Sequence, residues 1–146
     1  MRYKRAELVS RHLSEFDIQR MQVCNRAGSQ IVTCGKENVR LWRLRNGHLT
    51  GSNVALNNNA RGQTFTALCV VEAAAPAEET TRKKGAGAAP RTVLAATDLG
   101  LLFRIVGTNL EEVTKIHDSK ITAIAVCMEK GFALSAATEG VVRVWD

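Results

Sequence analysis

The sequence has few prolines, few aromatic side chains and no long apolar run. Two prolines occur in 146 residues, and Phe, Trp and Tyr together make up 5%. No stretch approaches the roughly 20 apolar residues that a membrane-spanning helix requires. The basic opening MRYKRAELVSRH is not followed by an apolar segment, so a secretory leader is not expected. Asn-x-Ser/Thr acceptors are absent. The cysteines Cys24, Cys34, Cys69 and Cys127 form no CxxC pair, and no HxxxH accompanies them, which argues against zinc. Such spacing suits free, buried thiols in a reducing compartment. The expectation is a cytoplasmic protein that neither spans a membrane nor holds a metal or other cofactor.

What is present is ordinary soluble-protein composition, with 45% hydrophobic and 23% charged side chains. At this length one domain is expected. The net charge of +6 is unevenly placed: residues 1–50 hold ten Lys/Arg against four Asp/Glu, and the remainder holds ten of each. A basic half reads as a solvated rim, or as a surface for nucleic acid or an acidic protein.

Short strands dominate the pattern. Residues 31–34, 39–44, 65–71, 92–96, 101–106, 121–127, 132–136 and 141–145 are brief and rich in β-branched or apolar side chains. Turns are expected at Gly35–Asn38, Gly47–Gly51, Asp98–Gly100, Gly107–Asn109 and Glu139–Gly140. Leu110–Met128 fits a helical stripe, but its β-branched residues around His-Asp-Ser favour strand–turn–strand. Residues 73–91 contain both prolines, much alanine and no large apolar residue, so they read as a flexible surface insertion.

An internal repeat carries the most information. VTCGKENVRLWRL (residues 32–44) and LSAATEGVVRVWD (134–146) share a small-residue strand, an acidic turn, a β-branched strand and a tryptophan. LAATDLGLLFRIV (94–106) repeats that outline without tryptophan. Trp42 and Trp145 lie 103 residues apart, and removing the 19-residue insertion leaves two steps of 42. That period, with four strands per unit, resembles the WD-repeat β-propeller family.

The resemblance implies an all-β chain: about three four-stranded blades of a propeller, too few to close. It places an outer strand near Tyr3–Val9 within a lead-in at 1–16, and blade one at 17–60. Blade two then spans 61–116 around the insertion, and an incomplete blade three spans 117–146. It also implies a fragment or short gene model of a larger protein. In that family a histidine, a turn acid, a Ser/Thr and a tryptophan form a structural hydrogen-bonded network. The matching residues here are His117, Ser135, Glu139 and Trp145 in the third unit. The first unit offers His12, Thr33, Glu37 and Trp42, and the second keeps Asp98 alone. A buried polar chain is tolerable only when closed, so His117, Ser135 and Glu139 read as structure rather than as a catalytic triad.

The run QIVTCGKENVRLWRLRNGHL (30–49), with QTFTAL and RTVLAATDLGLLFRI after it, is similar to the WD repeat-containing protein 90 family of proteome-of-centriole proteins. The echinoderm microtubule-associated protein-like family is similar in the same stretch. These resemblances imply a non-enzymatic protein–protein interaction scaffold of a centriole, basal body or cilium, with the remaining blades and cytoskeletal proteins as partners. Arg40, Arg43 and Arg45 around Trp42 are the candidate partner-binding residues. The alternative is a nucleic-acid or ribonucleoprotein-associated module using the same basic half, a reading disfavoured because Trp42 is expected to be buried.

Overall fold

A computed structural model describes residues 7–24, 30–71 and 91–146. The insertion expected at 73–91 lies outside the described residues apart from Arg91, as do residues 3–6 of the expected first strand. Residues 7–9 of that strand carry no strand structure, and Leu8 and Val9 are exposed. An outer strand over Tyr3–Val9 therefore has no counterpart in the part that is described.

The remainder is almost entirely β. Strands β1 (Ile18–Cys24), β2 (Gln30–Gly35), β3 (Asn38–Arg45) and β4 (His48–Asn53) form sheet one. A 3₁₀ turn at Asn57–Ala60 leads into sheet two: β5 (Phe65–Val71), β6 (Thr92–Thr97), β7 (Leu101–Val106) and β8 (Asn109–Lys115). Sheet three comprises β9 (Ile121–Cys127), β10 (Phe132–Ala137) and β11 (Val142–Trp145). Every neighbouring pair is antiparallel and consecutive in sequence, so each sheet is a simple meander. Leu110–Met128 is strand–turn–strand, as its β-branched residues require.

The turns explain the meanders. Asn46 and Gly47 both have positive φ, at 50° and 78°, which is the two-residue turn whose twist matches paired strands. The turn is therefore Asn46–Gly47 and not Gly47–Gly51. Gly51 sits within β4 opposite Trp42, where a Cβ would stand 3.0 Å from the indole and 2.4 Å from Arg40 Nε.

The first strands of the three sheets are neighbours: β5 packs against β1 and β2 on one side and β9 on the other. This makes an open arc of blade-like sheets stacked face to face. Between sheets one and two lies the larger core: Cys24, Val32, Cys34 and Val39 face Phe65, Val93, Ala95, Phe103 and Ile105. The Phe65 and Phe103 rings meet edge to face at 4.9 Å. A smaller core between sheets two and three joins Ala67, Ala96, Ile116 and Ile121, with Leu102, Ile124 and Trp145 against them. Strand β5 serves both cores, which accounts for its nearly continuous apolar run.

Candidate functional site

Strand β8 delivers Ile116 and His117 to the edge of the turn between β6 and β7. Both backbone N–H groups donate to the Gly100 carbonyl, at 2.9 and 3.1 Å. Gly100 has φ +80°, and a Cβ there would lie 2.0 Å from the His117 carbonyl oxygen. Only glycine fits. The approach seals the His117 ring, which is 1% exposed.

From that ring runs a continuous chain of hydrogen bonds. Trp145 Nε1–H donates to Ser135 Oγ at 2.8 Å. Ser135 Oγ and His117 Nε2 are 2.8 Å apart, and His117 Nδ1 is 2.9 Å from Glu139 Oε1. One proton arrangement satisfies every member: Ser135 donates to Nε2, and Nδ1–H donates to the carboxylate. The hydrogen bond from His117 holds the Glu139 carboxyl below its ordinary value of 4.5. Ser119 Oγ accepts the Glu139 backbone N–H at 3.3 Å, and Arg143 donates to the Ile116 carbonyl at 2.6 Å. The group thus ties the connection between sheets two and three to the β10–β11 turn.

This arrangement has the residue types of a nucleophile–base–acid triad but not its accessibility. Ser135 is 2% exposed, and its hydroxyl is committed to both neighbours. A substrate carbonyl has no approach to it.

The first unit is built differently. Trp42 Nε1–H donates to Thr33 Oγ1 at 2.7 Å, matching Trp145 and Ser135. His12 does not extend that chain: its ring stands edge-on to Trp42 at 5.0 Å. Glu37 does not reach His12 either, and its Oε1 accepts the Gly62 N–H at 2.7 Å. In the second unit Asp98 Oδ1 accepts the Thr64 N–H at 2.9 Å. Both acids therefore clamp the connection between sheets one and two by direct bonds to backbone. With a backbone N–H in reach, no histidine is needed to satisfy the carboxylate. Sequence reasoning grouped Glu37 with His12, left Asp98 alone, and missed Gly62 and Thr64 as their partners. It also missed Thr66, whose hydroxyl donates to the Ile121 carbonyl and joins β5 to β9. A lone threonine in the apolar run FTALCVV was the available signal.

The arginines divide. Arg40 lies over the Trp42 ring, 4.6 Å from its centroid, with its Nε buried and unbonded among the described residues. Arg43 and Arg45 are exposed along β3. Trp42 is 4% exposed, so it offers no face for stacking a base. Arg43 also borders a cavity of about 450 Å³ between sheets one and two, lined among others by Arg91, Thr50, Thr108 and Val93 and, among the described residues, by no carboxylate.

Cys34, Cys69 and Cys127 are free thiols, and burial pushes the Cys34 thiol up to about 12. Among the described residues no group of three His, Cys, Asp or Glu is placed to hold a metal, and no helix is long and apolar enough to cross a membrane.

Comparison with known proteins gives one distant relative. The chain is 26% identical over 148 positions to Centriole proteome protein 16 of Chlamydomonas reinhardtii, an alignment covering 97% of this chain. It spans 7% of that relative's length. No family profile matches. Among solved structures, the computationally designed Ika8 protein superposes on 88% of this chain and 33% of its own, with a TM-score of 0.57 at 17% identity. That likeness is one of fold. The designed Ika4 protein matches over 97% of this chain and 98% of its own at 16% identity, with a TM-score of 0.46.

Proposed function

We propose that the chain is a WD-repeat propeller segment acting as a non-enzymatic protein–protein interaction scaffold in a centriole, basal-body or cilium protein. The relative that aligns over nearly the whole chain, and is named for the centriole proteome, carries this reading. The buried His117–Ser135–Trp145 chain supports it, because the residues with catalytic potential are consumed in holding sheets together. Rigid sheets then display loops and edges to partners, which are cytoskeletal proteins and further propeller blades. The exposed Arg43 and Arg45 form the partner-facing edge, suited to an acidic protein segment. Nucleic acid is the weaker reading because stacking on Trp42 is blocked.

The test is localisation of the tagged full-length protein in ciliated cells. Foci coinciding with a centriole or basal-body marker, diminished by R43E/R45E, are expected. A diffuse or nuclear signal independent of those arginines refutes the proposal.

A further inference from the structure

Beside the core shared by sheets one and two lies the cavity of about 450 Å³. Register shows how its first wall is built. Gln30 pairs with Arg43 and Val32 with Leu41 across β2 and β3. Thr50 pairs with Arg43 and Ser52 with Leu41 across β3 and β4. Paired residues stand on one face of a sheet. A single face therefore carries aliphatic Val32 and Leu41 and, next to them, a polar band of Gln30, Arg43, Thr50 and Ser52. The second wall comes from sheet two and includes Arg91, Val93 and Thr108.

Hydrogen bonds fix both walls. Gly107 N–H donates to the Arg91 carbonyl at 2.9 Å, and Ala55 N–H donates to the Thr108 carbonyl at 3.0 Å. Arg91 Nη1–H donates across the interface to Gln30 Oε1, which aims the guanidinium and leaves most of its N–H groups over. Thr50 Oγ1–H donates to the Arg43 carbonyl at 3.3 Å. The Arg43 guanidinium itself has no ion pair among the described residues. Two other arginines are answered where they stand: Arg104 meets Glu112 at 3.6 Å, and Arg143 meets the Ile116 carbonyl. At this cavity two guanidiniums share one space that, among the described residues, no carboxylate lines. An anion seated there offsets their repulsion and takes up their free donors.

We propose that this cavity receives a glutamate or aspartate side chain from an acidic segment of a partner protein. Arg43 and Arg91 hold its carboxylate, and Val32, Leu41 and Val93 take the aliphatic part of the segment. A guanidinium fork matches a carboxylate. The volume falls within the roughly 300–1,000 Å³ of small-ligand sites, so peptide side chains fill it where a lone inorganic anion leaves most of it to water. Arg45, exposed two residues along β3 on the face of Arg43, carries the charge outward and suits a segment with more than one acid. Nucleic acid fits less well: Trp42 also borders the cavity but is 4% exposed, which leaves no ring face for a base. The proposal rests on the scaffold reading and adds the place where an acidic partner sits.

Fluorescence anisotropy of the full chain with fluorescein-labelled peptide pools of about nine residues tests it. The pools are degenerate except for a central Glu, Gln or phosphoserine. The Glu pool should bind at least about tenfold more tightly than the Gln pool. R43Q and R91Q should each weaken Glu-pool binding about tenfold and together remove the preference, whereas R45Q should change it less than about twofold. S52W, at an exposed position on the cavity wall, should block binding by bulk without altering either arginine. It replaces R91Q as the deciding variant if circular dichroism shows R91Q unfolded. Equal binding of the Glu and Gln pools overturns the proposal. So does tighter binding of the phosphoserine pool, or displacement of the Glu pool by oligothymidylate. Losses in R43Q and R45Q with none in R91Q or S52W overturn the cavity site and leave the scaffold reading standing. A diffuse signal of the tagged protein in cells overturns that reading and leaves the peptide binding unchanged.

Discussion

Replacing His117 with alanine isolates the largest polar group in the second core. The ring is 1% exposed and bonded at both nitrogens. Its removal leaves the Ser135 hydroxyl, 2% exposed, without an acceptor, which costs about 1–3 kcal/mol. It also opens a void among Ile116, Ile121 and their neighbours, adding about 1 kcal/mol or more. Glu139 adds little, because it is exposed and finds water. The expected loss is therefore about 2–4 kcal/mol, a large share of the roughly 5–15 kcal/mol typical of a domain. Urea unfolding of dilute protein, followed by far-ultraviolet circular dichroism, measures it at constant m-value. Ser135→Ala should cost a similar amount. The double variant should cost less than the sum, by about 1–2 kcal/mol, because both changes break one shared bond. A His117→Ala loss below about 0.5 kcal/mol, or strict additivity with Ser135→Ala, refutes the closed network.

Further outcomes follow from individual positions. Gly100 and Gly140 both have φ +80°, but only at Gly100 does a Cβ strike backbone. Thermal unfolding should therefore show G140A costing about 1–2 kcal/mol of strain and G100A considerably more. The Glu139 carboxyl is held low by His117, so its contribution to stability is complete above about pH 4.5 and is lost as pH falls through its lower folded value. E139Q should flatten the acid limb of a stability–pH curve there, and an unchanged limb contradicts the assignment. Cys34, pushed up to about 12 by burial, should resist alkylation in the native chain at mildly alkaline pH and react once urea unfolds it.

The sequence shows most of the strands because packing on both faces leaves a strong residue signal. FTALCVV and LLFRIV coincide with β5 and β7; ITAIAVC coincides with β9 through its β-branched residues, although within that strand only Ile121 is buried. Strand β1, IQRMQVC, has no such signal, since six of its seven residues are exposed or half-buried at the end of the arc. Its pairing with β2 makes it a strand, and that is not readable from its own residues. The Asn46–Gly47 turn was masked by Gly51, which reads as loop but serves close packing on Trp42. The third network was legible as spacing, because His117, Ser135, Glu139 and Trp145 all meet. The same spacing misplaced His12 and Glu37. A carboxylate takes whichever donor the connecting segment brings nearest, and Gly62 N–H is nearer than any imidazole.

The central claim is that the three sheets stack face to face in chain order, with Phe65 and Phe103 belonging to the first interface and Trp145 to the second. Proton nuclear Overhauser effects in methyl-labelled protein test it directly. The account predicts contacts from the Phe103 ring to methyls of sheet one, Val32 and Val39 foremost, and from the Trp145 indole to Leu102 and Ile116. Phe103 contacts to Ile121 or Ile124 in place of those to sheet one would contradict it.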